Sequence, residues 1–363
     1  MPRLFSDRDS FVRRIERRRE AARWVAHARR KVGLAHGPTQ AAIYDGTFRS
    51  DEEAVSYFYA LRNDHLPDLE HPTWVNEKVR WQFINRPNPL MGLTADKIAV
   101  RSYLTYKGAR YLPPETVATG SQPEELLSAP LPKRFALKAT SSSGQNYFED
   151  GTRGASRAEL VAMVSRWNQT EYWRHAGEMH YRGLRKRWQV EELVGSPDQI
   201  TEYKFYCLHG EPMFILVISG RSGSSYDCAL FDLDWKLVDF HWRGYSATAA
   251  STERPAQLDA LIDEARLLSE DFIHVRVDFM QCGGRIMFSE LTFSGGAARN
   301  PFVPLVKNVE LGDRIDLGRW SEYVERGERI AGELGWTPGE LARQTPERQP
   351  RFVARRSLSS LGA

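Results

Sequence analysis

Residues 272–293 read Phe272-Ile273-His274-Val275-Arg276-Val277-Asp278-Phe279-Met280, then Gln281-Cys282-Gly283-Gly284, then Arg285-Ile286-Met287-Phe288-Ser289-Glu290-Leu291-Thr292-Phe293. Apolar side chains alternate on both sides of the glycine pair, the period-2 pattern of two half-buried strands joined by a tight turn. Asp278 and Glu290 fall inside those strands between bulky apolar neighbours. Carboxylates in a sheet interior are costly unless paired or metal-bound, so the two read as metal ligands; the alternative is that one faces water at a sheet edge. With a four-residue turn Met280 pairs with Arg285, and the two acids lie an odd number of steps apart. Regular pairing then sends them to opposite faces, so a bulge or register shift is expected between them.

The surrounding chain has 363 residues, 41% hydrophobic and 27% charged, enough for two or three packed domains of ordinary globular composition. No stretch approaches the ~20 apolar residues of a membrane span, and the best run, from Phe214 to Ile218, suits a buried strand. Arginines recur where the apolar core of a secretory signal would stand. Cys207, Cys228 and Cys282 show no CxxC spacing, so a reduced, cytoplasmic protein without structural zinc is expected.

Charge is concentrated at the ends. Residues 1–40 hold 11 basic and 4 acidic side chains and residues 343–363 hold 5 and 1, so with a net charge of +3 the remainder carries −8. Phe11, Ile15, Ala22 and Val25 share one helical face, with Arg13, Arg14, Arg17, Arg19, Arg23, Arg29 and Arg30 around it. Such a helix either lies on an anionic membrane surface or polyanion, peripheral to the inner membrane, or docks on its own protein with a solvated basic side. The aromatic and glycine pattern of an RNA-binding sheet is missing, which argues against nucleic acid.

Helices are predicted from Asp51 to Leu61, from Trp74 to Ile84, and from Ala95 onward with Thr94 as cap; Leu112-Pro113-Pro114 ends the last or a short strand after it. A strand, Phe135-Ala136-Leu137-Lys138, carries Lys138 into the small-residue loop Ser141-Ser142-Ser143-Gly144. Backbone amides and hydroxyls there can approach an anion while the ammonium supplies a point charge, although the Walker spacing is absent and a Ser-rich loop is often only a turn. A helix from Arg157 to Trp167 and the run from Trp188 to Gly195 follow. Strands come next at Thr201–Leu208 and Pro212–Ser219 across His209-Gly210, and at Ala229–Phe231 and Lys236–Phe240 near Asp232-Leu233-Asp234-Trp235, then a helix from Leu258 to Glu270. Antiparallel strands flanked by helices define an α+β architecture. His180, His209 and His274 read as structural or exposed.

The order of these pieces resembles an ATP-grasp protein, and more narrowly the TupA-like branch associated with teichuronopeptide and polysaccharide biosynthesis. The resemblance runs from about 74 to 300. It rests on Asn76-Glu77-Lys78 with Trp81, Ala95-Asp96-Lys97 with Val100-Arg101, Phe135 to Lys138, Glu202-Tyr203-Lys204-Phe205, Phe231 to Trp235, Val275 to Asp278 and Ser289 to Phe293.

It implies an ATP-grasp fold in which two α+β subdomains clamp ATP, with an N-terminal helical extension, and an ADP-producing carboxylate–amine ligase that works through an acylphosphate. Lys97 and Lys138 would hold phosphates and Ser141, Ser142, Ser143 and Gly144 would cover the γ-phosphate. Glu191 or Glu192 with Leu193 would form the adenine-side hinge, Asp278 and Glu290 would hold Mg²⁺, and Arg276 and Lys204 would act on the transferring group. Expected partners are ATP, a glycan or small-molecule carboxylate, and an amine or amino acid. Expected regions are a basic helical extension (1–40), a helical region (41–94), a first subdomain (95–187), a second (188–320) and a C-terminal helix with a basic tail (321–363).

Three departures stand out: Thr292 where the common ending has Asn, Ser142 and Gln145 where relatives often carry Gly, and Asp227 in a stretch expected to be basic. Two other readings remain: glycosyl transfer, for which Asp232-Leu233-Asp234 has the spelling, and a non-catalytic module recruited to glycan or membrane by its basic ends.

Overall fold

The computed structural model describes residues 3–34, 39–85, 87–152, 154–222, 225–245 and 253–336. Six helices come first: α1 (Arg3–Lys31), α2 (Thr39–Thr47), α3 (Asp51–Ala60), α4 (Val75–Ile84), α5 (Pro89–Ala95) and α6 (Val100–Lys107). Helix α1 docks on α2 and α3. Ile15, Ala22 and Ala26 are buried, whereas Val25, expected on the same face, is exposed because 22 and 26 are one helical turn apart and 25 is rotated off that line. Arg18 pairs with Glu53 at 2.5 Å and Arg19 donates to the Tyr57 hydroxyl at 2.9 Å, so part of the basic side turns onto α3.

A four-stranded antiparallel sheet follows, built from β1 (Thr116–Gly120), β2 (Phe135–Ala139), β3 (Asn146–Glu149) and β4 (Trp188–Glu192) in the order β1-β4-β2-β3. Between β3 and β4 lie α7 (Arg157–Asn168) and α8 (Trp173–Ala176). Phe135, Leu137, Trp188 and Val190 bury one face of the sheet with Leu160 and Val164 of α7. Period 2 then turns Lys138, Gln189 and Glu191 to the other face.

The second sheet holds β5 (Thr201–Leu208), β6 (Glu211–Ser222), β7 (Ser225–Phe231), β9 (His274–Cys282) and β10 (Arg285–Thr292), all antiparallel, in the order β10-β9-β5-β6-β7; β8 (His241–Trp242) pairs with β11 (Phe302–Val303). Helix α9 (Leu258–Ser269) packs on one face, where Phe205, Cys207, Val275, Val277 and Phe279 join Leu261, Ala265 and Leu268 in the larger core. The same alternation sends Lys204, Tyr206 and Leu208 of β5, and their partners Asp278, Arg276 and His274 of β9, to the opposite face. Helices α10 (Val306–Asp313) and α11 (Trp320–Glu333) pack on α4 and α5.

Several expectations change in detail. The hairpin turn is Gly283-Gly284 alone, because Cys282 pairs with Arg285; both glycines have positive φ, 56° and 79°, as a two-residue turn with matching twist requires. The bulge exists: Phe288 faces Phe279, Ser289 is the extra residue, and Glu290 faces Asp278. The expected strand over 236–240 reduces to a single bridge between Leu237 and Phe231. Asp96, rather than Thr94, caps the turn before α6, its Oδ1 accepting from the Ile98 and Ala99 amides at 2.9 Å, while the Thr94 hydroxyl bonds back to the Leu90 carbonyl.

Candidate active site

On the first sheet, Lys138 pairs with Glu191 across β2 and β4, and Glu191 Oε2 accepts from Gln189 Nε2 at 3.0 Å. Lys97 arrives from the turn after α5: its amide donates to the Thr140 carbonyl and its Nζ to the Ser142 carbonyl at 2.5 Å. Burial pushes the Lys97 ammonium down, with Lys138 adding repulsion, while Glu290, Asp96 and Glu191 pull the other way. A lysine from before the first sheet thus shares a field with an acid from the second.

On the second sheet, Asp278 is fully buried and binds two cations. Arg276 grips it with Nε to Oδ1 at 2.7 Å and Nη2 to Oδ2 at 2.6 Å, and Lys204 Nζ reaches Oδ2 at 2.9 Å. Lys204 also meets Glu202 at 2.5 Å. Thr292 donates to Glu290 Oε1 at 2.8 Å and accepts from Arg276 Nη2 at 3.1 Å. Burial pushes the Glu290 carboxyl up, but Lys204, Arg276 and Lys97, with the Thr292 hydroxyl, outweigh it and hold it below the usual carboxylate range.

The small-residue loop crosses the cleft edge. Ser142 is buried with its hydroxyl unpartnered, Gly144 takes φ 74°, and Ser143 interacts with the Tyr172 hydroxyl, which also meets Glu178. Glu178 in turn accepts from Ser294, just after β10, at 2.5 Å. The two candidate hinge acids diverge. Glu191 turns inward onto Lys138, whereas Glu192 is half-exposed and bonds Arg285 of the hairpin at 2.9 and 3.1 Å. The segment after Leu193 runs against that hairpin, with Cys282 Sγ 3.7 Å from the Val194 carbonyl.

Asp278 and Glu290 supply two opposed carboxylates. Both contacts of Glu290 use Oε1, and its side chain keeps 35% exposure, which leaves Oε2 for a cation. Asp278 has both oxygens on Arg276 and Lys204. This donor set fits Mg²⁺, which takes one or two carboxylates and completes its octahedron with phosphate oxygens and water, with Glu290 the readier ligand. Among the described residues no group of three or more His, Cys, Asp or Glu side chains could hold a metal by itself.

Some contacts that hold the site had no clear sequence signal. Asp96 accepts from Arg187 at 2.8 Å and from Thr140 at 3.0 Å, tying the start of the Lys97 turn to the residues that flank β4 and β2. Arg80, wholly buried on α4, donates to the Ala297 and Ala298 carbonyls at 2.5 and 3.2 Å and holds three successive residues, Gly296 to Ala298, at positive φ. Their only clue was the glycine pair Gly295-Gly296, since Ala at positive φ leaves no pattern. Asp232-Leu233-Asp234 is a turn: the Asp232 carboxylate accepts from the Lys236 amide at 2.8 Å, and Trp235 stacks on Phe231 at 4.4 Å. His180 and His274 are buried, and His209 bonds the Tyr323 hydroxyl.

Two α+β lobes, one offering lysines and a small-residue loop and the other an Arg-Asp-Glu set across a cleft, constitute the ATP-grasp fold with helices preceding it. A family model described as TupA-like ATP-grasp matches residues 77–316, and the chain belongs to that family. No curated protein matches it. Among solved structures it is similar to D-alanine–D-alanine ligase from Helicobacter pylori at 13% identity and TM-score 0.35, covering 62% of this chain and 61% of that one. For the D-alanine–D-alanine ligase from Bacillus anthracis the values are 16%, 0.35, 67% and 70%. For an L-amino acid ligase from Bacillus licheniformis they are 14%, 0.39, 58% and 46%, so the chain spans less than half of that protein. Among the described residues no helix is long and apolar enough to cross a membrane.

Proposed function

We propose that this protein is an ATP- and Mg²⁺-dependent carboxylate–amine ligase that forms an amide through an acylphosphate, joining an amino acid to a polysaccharide or small-molecule carboxylate. The observation that carries this reading is the shared field of Lys97, Lys138 and Glu191 on one side with Lys204, Arg276 and Glu290 on the other. Phosphoryl transfer is mainly positioning and charge neutralisation, and this is suitable equipment for it.

Lys97 and Lys138 bind phosphate oxygens, and the loop over 141–144 covers the terminal phosphate. The stretch Glu191-Glu192-Leu193 borders the adenine. Glu290 and Asp278 would hold Mg²⁺, which when bound would supply neutralisation of the phosphate charge. A substrate carboxylate oxygen attacks the γ-phosphorus, the bond to the bridging oxygen breaks, and ADP leaves with that electron pair. Arg276 and Lys204 steady the acylphosphate. The amine nitrogen then attacks the acyl carbon, the C–O bond breaks with its electron pair on the departing phosphate, and that phosphate takes the amine's proton.

The test is ATP consumption with Mg²⁺ across a panel of amino acids and uronic-acid glycans, scoring ADP plus phosphate against AMP plus pyrophosphate. Substrate-dependent ADP formation that disappears in Glu290→Gln and Lys138→Ala is the expected result. A wild-type protein that binds no nucleotide would overturn it.

A further inference from the structure

The catalytic face of the second sheet continues past Arg276. Paired rows run from Lys204 with Asp278 to Tyr206 with Arg276 and on to Leu208 with His274, each step being about 7 Å at the usual strand rise. The last two rows floor a cavity of about 50 Å³. Its aromatic wall is Tyr206 stacked on Phe214 at 4.6 Å, with Trp242 and Phe302 4.9 Å apart beside them. Gly295 lines it too, and a Cβ there would stand 2.9 Å from Arg276 Nη1 and 3.1 Å from the Tyr206 hydroxyl, so the cavity shares a wall with the catalytic cluster.

Asn76 of α4 lines the same cavity, 5% exposed, with its carboxamide beside the Tyr59 hydroxyl, which also bonds His65 Nε2 at 2.9 Å. One bond to that hydroxyl leaves the carboxamide with further donors and acceptors. A ligand with one donor or acceptor would use that remaining capacity. The lining carries no carboxylate, lysine or arginine, and its imidazole, His274, is held neutral at ordinary pH, chiefly by burial. A cationic group placed here would lack a counter-ion, and the cation at its wall, Arg276, is already engaged by Asp278.

We propose that this cavity is the specificity pocket for the amino-acid substrate, and that it takes an uncharged, apolar or aromatic side chain whose polar end is read by Asn76. This assignment rests on the ligase reading above and adds the substrate class to it.

Two arms test it. The first measures ADP formation with L-leucine and L-phenylalanine against L-glutamate and L-lysine, in wild type and in Asn76→Leu. The second observes the same four amino acids by saturation-transfer NMR without nucleotide, in wild type and in Met213→Trp, which fills the cavity from its rim. The expected result is a preference for leucine or phenylalanine in both arms, lost in Met213→Trp. Asn76→Leu should raise the KM for the preferred amino acid about tenfold or more and leave MgATP affinity unchanged. A merely structural Asn76 would give a lower Tm and the same KM. Preference for glutamate or lysine, or binding that survives Met213→Trp, overturns the pocket assignment. Selective amino-acid binding with no ADP formation by any substrate would overturn the ligase reading and leave an uncharged-ligand pocket standing.

Discussion

Glu290 stands directly across from Asp278 because Ser289 is an extra residue in β10. The same bulge lets Phe288 enter the core against Phe279 while Glu290, two residues on, turns to the cleft. Deleting Ser289 restores simple alternation with the acid still opposite Asp278. We therefore expect the deletion to retain a cooperative fold and Mg²⁺-dependent nucleotide binding, read by thermal shift; loss of the Mg²⁺ response would show that the extra twist of the bulge is itself required.

Arg276 is the member of the cluster whose loss should hurt the fold as well as the chemistry. Its guanidinium satisfies a wholly buried Asp278, so Arg276→Met leaves that carboxylate on Lys204 alone. Breaking such a pair from one side costs about 3–5 kcal/mol. Urea unfolding of the variant checks this, and the double variant Arg276→Met with Asp278→Leu should recover much of the loss.

Gly295 leaves no room for a side chain beside Arg276 and Tyr206. Gly295→Ala should displace the guanidinium and reduce turnover roughly 10²-fold, as small misplacements of catalytic groups do, while MgATP affinity stays near wild type. Parallel loss of both would place the defect in the fold instead.

Burial holds the His180 and His274 imidazoles down to about 3 and about 4, with Arg276 adding to the effect on His274. The unfolded chain takes up those protons below its ordinary histidine pKa of about 6.5. The native contribution of these residues is thus complete above that pH and drains away as pH falls toward 4, with a slope of about 1.4 kcal/mol per pH unit for each histidine. Denaturation midpoints at pH 5 and 7 should converge in His274→Gln relative to wild type; an unchanged gap would contradict the assignment.

Lys97 is pushed down by burial and by Lys138. An arriving phosphate favours its charged form, so nucleotide binding should take up protons and weaken as pH rises. Calorimetry of MgADP binding in two buffers of different ionisation enthalpy measures this directly. Lys97→Arg should abolish the buffer dependence, because a guanidinium stays charged.

The sheets and the rows that carry the candidate site were legible because alternation is a local signal: Lys138, Lys204 and Asp278 could be assigned to strands from their neighbours alone. The need for an irregularity between Asp278 and Glu290 was legible too, but not the two-residue turn, since Gln281 and Cys282 carry nothing that distinguishes strand from loop. Capping by Asp96 instead of Thr94 was hidden because both residue types cap well and only the turn geometry chooses. The partnership of Arg80 with the Ala297 and Ala298 carbonyls joins positions 217 and 218 residues apart, and no pattern along one chain encodes such a contact.

The link from Ser143 through Tyr172 and Glu178 to Ser294 joins the small-residue loop to the segment that lines the aromatic cavity. The two ends of the site are thus braced against each other, so MgATP should tighten binding in the cavity without being required for it. In the proposed ligase, an acyl group made within that braced enclosure meets the amine before it meets much water.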